Sequence, residues 1–346
     1  MNMPAVRRKG FFRKVLQRIK SWSRWLKAAE PGFHVLTPIA LPLFGYPLLE
    51  KLTDISTKMQ IQLAQRILKF REPLVFASIP SYAETVLKLP HRGLIYYYSD
   101  KYTSYDDISA QDALARRDRM LFEAADVVFC ASEMITDSLK EKRKEVHYLP
   151  HAVDFQRFHV ALQADDPEPA DIAAIPHPRI GYYGSIADNN DKEMILHAAT
   201  QNPDLQFVMI GKVFGDYTHL KALPNIHFLG FKPYAEIPYY GRHFDVGFMS
   251  WKSTDWIRHC SPLKAKEYFS LGLPVVSIPI HELEKYHADL VYFASSPEEF
   301  LAQIEKALTE DSPEMHQKRI KRMSQESWDI RSSEMLNILK SAQESR

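Results

Sequence analysis

Along the second half of the chain, short apolar runs alternate with stretches whose apolar residues recur at helical spacing. Ile180–Tyr183, Phe207–Ile210, Ile226–Leu229, Val246–Met249, Val275–Ile278 and Val291–Ala294 have the length and side-chain content of buried strands. Lys192–Thr200, Ala235–Tyr240 and Pro297–Leu308 fit between them as helices. Alternation of this kind predicts a doubly wound parallel sheet. The first half is less regular. It predicts strands at Leu74–Ala77, Leu94–Tyr98, Val127–Cys130 and Val146–Leu149, a weaker one near His34–Leu36, and a helix over Gln111–Ala125. Asp165–Pro178, rich in Asp, Pro and Ala, reads as a linker, and the tail from Met315 as a charged helical stretch broken near Trp328.

One stretch combines these patterns with chemistry: "CSPLKAKEYFSLGLPVVSIP", Cys260–Pro279. Ser261 is placed to cap a helix and Pro262 to occupy its first position, where a missing N–H costs nothing. Leu263, Tyr268 and Leu271 form an apolar stripe, Gly272 is placed to end the helix, and Pro274 prevents its continuation. A helix N-terminus favours anions through its unpaired N–H groups and dipole, and Lys264 adds charge there. Glu267, one turn on, is within reach of a sugar hydroxyl. The simpler alternative is a Lys264–Glu267 pair on a solvated face.

Composition bounds the setting. A length of 346 residues suggests two domains. Cys130 and Cys260 make neither a disulfide framework nor a zinc cluster, which fits a reducing cytosol. No apolar run is long enough to span a bilayer, since His34–Leu49 is short and broken by Pro38, Pro42 and Pro47. The N-terminus lacks the compact apolar core and cleavage site of a signal peptide. The net charge of +1 hides a split: nine basic residues and no acid between Arg7 and Lys27 leave −8 for the rest. Phe11, Phe12, Val15, Leu16, Ile19, Trp22, Trp25 and Leu26 recur at helical spacing in that segment. This is the pattern of an interfacial helix on an anionic membrane surface, or of a helix packing its apolar face on the domain. The acidic remainder and the lack of a nucleic-acid motif argue against DNA or RNA as partner. No G-x-G-x-x-G follows a strand, which argues against a dehydrogenase.

"YYGSIADNNDKEMILHAA", "FVMIG", "LPNIHFLGFKPYAEIPYYGRHFDVGF" and "SPLKAKEYFSLGLPVVS" resemble, in that order, the donor half of GT-B glycosyltransferases of group 1/family 4, nearest to those of bacterial teichuronic-acid and exopolysaccharide synthesis. "YYYSDKYTSYD", "ADVVFCASE" and "LPHAVDFQRF" resemble the same group's N-terminal half, so the likeness runs from about Phe33 to Ile338. It implies an α/β protein of GT-B type, two Rossmann-like doubly wound domains facing a cleft. The expected parts are a basic amphipathic segment over 1–30, an acceptor-side domain over 31–160 lacking its first strands, a nucleotide-sugar domain over 161–312, and helices over 313–346 returning toward the N-terminal domain. It further implies a cytoplasmic enzyme, peripheral on the inner membrane face. That enzyme would move a sugar from a nucleotide-sugar to a saccharide or lipid-linked acceptor, metal-independently and with retention, and with no cofactor.

The resemblance implies donor contacts from Gly184, Ser185, Lys212, Arg258, Ser261, Leu263, Lys264 and Glu267. Related retaining enzymes use two glutamates eight positions apart; Glu267 matches the second and His259 stands at the first. Asp100, after "LIYYY", falls where acceptor-side residues lie, though a turn-capping aspartate fits equally. His151 reads as structural. The substituted first glutamate keeps open a non-catalytic partner of a polysaccharide assembly, and the shared fold a nucleotide-sugar epimerase. A strand, a helix and a second strand precede this region in the family, so a shortened chain is expected to leave the first sheet split or with open edges.

Overall fold

In a computed structural model of the chain, the residues described are 25–39, 47–101, 108–143 and 145–344. The chain forms two compact units. The first comprises 1–98 with 105–129, and the second 99–104 with 130–346.

In the first unit, β1 (Leu26–Glu30) and β2 (Phe33–Leu36) pair antiparallel as a separate two-stranded sheet. Glu30 faces Phe33 across a Pro31–Gly32 turn with Gly32 at φ 77°, a placement that Pro followed by Gly favours. Residues 26–30 are therefore strand, which corrects the helix expected over 1–30. The remainder of that basic segment, to residue 24, lies outside the described residues. Helix Pro47–Ile67 follows, an element the sequence reading did not predict. β3 (Leu74–Ala77) runs parallel to β4 (Gly93–Tyr98), with β5 (Val127–Cys130) next in sheet order. Asp126 accepts a 2.7 Å hydrogen bond from the Leu94 amide. Asp118, buried, accepts from the hydroxyls of Tyr96 and Tyr98, which satisfies both phenols inside the unit.

The second unit includes helix Glu133–Lys140, the short strand β6 (Val146–Tyr148) and helix Phe155–Gln163. Its main sheet has six parallel strands: β7 (Arg179–Tyr183), β8 (Gln206–Ile210), β9 (Ile226–Gly230), β10 (Val246–Met249), β11 (Val275–Ser277) and β12 (Val291–Phe293). Their order, β12-β11-β10-β7-β8-β9, reverses direction between β7 and β10. Ligands of such sheets sit beyond the carboxyl ends of the strands at that reversal. β7, β10 and β11 are buried throughout, which is why they read as unbroken apolar runs. The 165–178 stretch is no loose linker. It holds helix Ala170–Ala173, and buries Ile172 and Ile175 in the same core. The tail forms helices Pro313–Ser324 and Trp328–Glu344, broken before Trp328 as expected; the first packs on helix Leu263–Ser270 within this unit.

Candidate functional site

The site is built where β7 and β8 end. Each strand runs into a glycine with positive φ, Gly184 at 130° and Gly211 at 152°. The Gly184 amide donates to the Ile210 carbonyl at 2.9 Å, and the Gly211 amide to Gly230 at 2.8 Å. A Cβ on Gly211 would stand 1.7 Å from the Gly184 carbonyl oxygen, so the two loops meet backbone to backbone and no side chain fits between them. This close approach makes the floor of a cavity of about 640 Å³.

Helix Leu263–Ser270 closes one side. Its N-cap is Pro262, in extended conformation, and no side chain caps its first turn. Ser261 is therefore not the cap, nor Pro262 the first helical residue. The first-turn amides are left without a side-chain acceptor, next to a cavity lined by Leu263 and Lys264. The helix ends as the sequence indicates. Gly272 (φ 74°) donates to the Phe269 carbonyl and Leu273 to that of Tyr268, a Schellman pair. The stem of Lys264 lies across Gly184, whose missing Cβ would come within 2.6 Å of Lys264 Cε. The Lys264 ammonium stands 5.4 Å from the Tyr182 ring centre and 5.2 Å from that of Trp251. Lys212 Nζ stands 4.7 Å from the ring centre of Phe231, on the loop after β9.

Glu267 is 8% exposed and accepts a 2.8 Å hydrogen bond from the Tyr234 hydroxyl. It is not half of a solvated pair with Lys264. Burial pushes its carboxyl above the usual carboxylate range, against the pull of the Tyr234 hydrogen bond, the Lys264 charge and the neighbouring Tyr183 hydroxyl. Tyr183, buried, lines the same wall.

Six of the residues singled out in sequence thus line one cavity: Gly184, Ser185, Lys212, Leu263, Lys264 and Glu267. The other four do not. Ser261 is buried before the helix, and Arg258 is exposed, 3.7 Å from Asp255. The His259 ring nitrogen Nδ1 lies 2.7 Å from the Asp255 carbonyl of its own short helix, Asp255–Arg258. Asp100 accepts from the Trp256 indole and from the Lys101 amide. His151 gives its carbonyl to Lys266 Nζ at 2.8 Å, and burial lowers its ring to about 4. Sequence reasoning missed Tyr234 and Phe231, whose signal was "GFKPY" directly after a strand.

Residues 177–310 match the family model described as glycosyl transferases group 1. Over 207 residues, 57% of this chain, the sequence is 28% identical to TuaH of Bacillus subtilis (strain 168), a protein named as a teichuronic acid biosynthesis glycosyltransferase. The chain spans about half of that protein, 52%. The structure of Anabaena Alr3699/HepE in complex with UDP and glucose is similar with a TM-score of 0.65 at 16% identity, over 87% of this chain and 84% of that one. An α,α-trehalose 6-phosphate synthase from Burkholderia multivorans is similar with a TM-score of 0.61 at 12% identity, over 86% and 77%. In fold the chain is an α/β protein of GT-B type, and its residues 177–310 match the group 1 pattern.

Proposed function

We propose that the protein transfers a sugar from a nucleotide-sugar donor to a saccharide or lipid-linked acceptor in cell-surface polysaccharide synthesis. The observation that carries this reading is the single cavity wall that joins Lys264, the uncapped first turn of helix Leu263–Ser270, and the buried Glu267. Lys264, Lys212 and the helix amides supply positive potential for a diphosphate, while Glu267 accepts hydrogen bonds from ribose hydroxyls. Stabilising the leaving diphosphate by protein cations and dipoles supports a reaction without a bound metal. Retention of configuration is part of the same proposal, motivated by the match of Glu267 to the family's second glutamate.

The test is calorimetric titration with UDP, GDP and dTDP, then with their sugars. Glu267→Ala is expected to weaken the favoured nucleotide about tenfold or more. Unchanged affinity in a folded variant removes the ribose role. A second reading, binding without turnover, is favoured by His259, whose ring is engaged by its own helix. Tight nucleotide binding with no radiolabelled sugar passing to a lipid extract would support it, and an epimerised sugar would support an epimerase. Among the described residues no helix is long and apolar enough to cross a membrane. We propose that segment Arg7–Lys27 seats the protein on the cytoplasmic membrane face. Sedimentation with anionic vesicles that persists after removal of residues 1–29 would refute that.

A further inference from the structure

Glu267 is the acid of a cavity whose other charged lining residues are Lys212, Lys232 and Lys264. It is buried, and a buried carboxyl tends to take up a proton and so lose its strength as an acceptor. Tyr234 opposes this: its hydroxyl donates to Glu267 Oε1 at 2.8 Å. The Tyr234 ring is in turn held from its far side. The Arg157 guanidinium stands 5.4 Å from its centre, Phe158 meets it edge-on at 6.1 Å, and Arg157 is anchored by Asp154 at 2.7 Å. A chain of contacts, Asp154 to Arg157 to Tyr234 to Glu267, therefore runs from the start of helix Phe155–Gln163 to the cavity wall. A carboxylate offers about four acceptor positions, so one bond from Tyr234 leaves others for a ligand.

We propose that Tyr234 is a positioning residue. Its hydroxyl orients the Glu267 carboxylate to accept from the vicinal hydroxyls of a ribonucleoside diphosphate, so the site selects ribose over 2′-deoxyribose. This rests on the donor-site reading of the preceding section. The groups that bear on Glu267 are Lys264 from its own helix, Tyr183 from the end of β7, Tyr234 from the loop after β9, and Asp154 from the start of helix Phe155–Gln163. Lys264 and the two hydroxyls favour the ionised form, and Asp154 opposes it. Removing the Tyr234 hydroxyl therefore moves Glu267 toward its neutral form, and the effect on binding fades as the pH rises.

The experiment is titration of UDP and 2′-deoxy-UDP into the wild type, Tyr234→Phe and Glu267→Gln, from about pH 5.5 to 8.5. Tyr234→Phe should weaken UDP about tenfold at the acid end, with the gap closing toward the alkaline end, and should affect 2′-deoxy-UDP far less. Glu267→Gln should abolish the pH dependence, and adding Tyr234→Phe to it should change nothing further. Arg157→Gln keeps the hydroxyl but releases the ring, and should give a smaller loss with the same pH profile. Equal weakening of both nucleotides at every pH overturns the proposal, because it marks a packing role. So does unchanged UDP binding by Tyr234→Phe while the wild type binds tightly. If the wild type binds neither nucleotide, the donor-site reading itself fails, and this inference with it.

Discussion

Helix Pro47–Ile67 in the first unit and helix Leu263–Ser270 in the second treat polarity in opposite ways. The short helix buries two charged residues, Lys266 against Glu326 and Glu267 against the Tyr234 hydroxyl. The long helix turns Leu52, Ile55, Met59, Leu63 and Ile67 outward, with Met59 64% exposed, while Thr57 is 1% exposed on its inner side. At about 100° per residue those five positions fill an arc of roughly 120°, as wide as a core-facing stripe. Spacing shows that a helix has two faces. It does not say which face is received by the rest of the fold. In the second unit a dense core on both sides of the six-stranded sheet surrounds the short helix, and enough fixed partners exist there to bury charge.

The largest expected effect tests that dependence on fixed partners. Lys266 Nζ lies 2.6 Å from Glu326 Oε2 and 2.8 Å from the His151 carbonyl, with His287 and Arg331 beside the same carboxylate. Burial pulls the Lys266 amine below the usual lysine range, and Glu326 pulls it back. Lys266→Ala leaves Glu326 short of its closest cation in the interior. It is expected to cost on the order of 3–5 kcal/mol in urea unfolding, whereas replacing both partners by apolar residues should recover most of that. A loss under about 1 kcal/mol, the size of an exposed pair, would show that the short helix is not held in the way described.

The next effect is pH-dependent. Burial lowers His287 to about 4 against the opposing charge of Glu326, with Lys266 and Arg322 lowering it further and Asp289 raising it. Burial also lowers His151 to about 4, helped by Lys266 and opposed by a backbone contact with Ser99. For a depressed histidine the unfolded chain binds more protons, so stability is present above the unfolded value near 6.5 and is lost as pH falls toward 4. Each histidine should contribute a loss of about 3 kcal/mol across that window. The midpoint of urea unfolding should fall between those pH values, and His287→Leu should flatten the slope. An unchanged slope in that variant would separate His287 from the acid sensitivity.

The same contrast explains what was legible in the sequence. All six strands of the second sheet were readable as short apolar runs: the four inner ones, such as Phe207–Ile210 and Val246–Met249, are almost wholly buried, and the edge strands Ile226–Gly230 and Val291–Phe293 keep the pattern while only part-buried. The end of helix Leu263–Ser270 was readable because Gly272 is demanded by backbone geometry. Its start was not, because Pro262 in extended conformation displaces Ser261 from the capping position, and Ser-Pro signals both arrangements. In the hairpin at residues 26–36 the second strand, Phe33–Leu36, was read near His34–Leu36, whereas the first, Leu26–Glu30, was hidden at the end of a basic stretch with helical spacing, although Pro31–Gly32 marked the turn. Of the six site residues that came together, Gly184, Ser185 and Lys212 follow strand ends that the pattern located, and Leu263, Lys264 and Glu267 lie on the helix read in the stretch after Cys260. Tyr234 escaped because its role depends on a contact 33 positions away in sequence, with Glu267.

The smallest expected effect is the sharpest check on the comparison. Met59→Gln and Leu63→Gln place polar groups on the outward stripe of helix Pro47–Ile67, where the structure leaves both side chains exposed. Substitutions at such positions usually lie within about 0.5 kcal/mol of the wild type. Phe269→Ala, in the wholly buried face of the short helix, removes packed atoms and should cost about 3–5 kcal/mol. Urea unfolding of the three variants side by side measures the difference directly. A near-neutral result at Met59 and Leu63 means that this apolar stripe contributes little to the folded state, so its pattern serves something other than the core. A loss above about 2 kcal/mol at either position means that the stripe is received by another part of the protein, and the two helices then obey one rule.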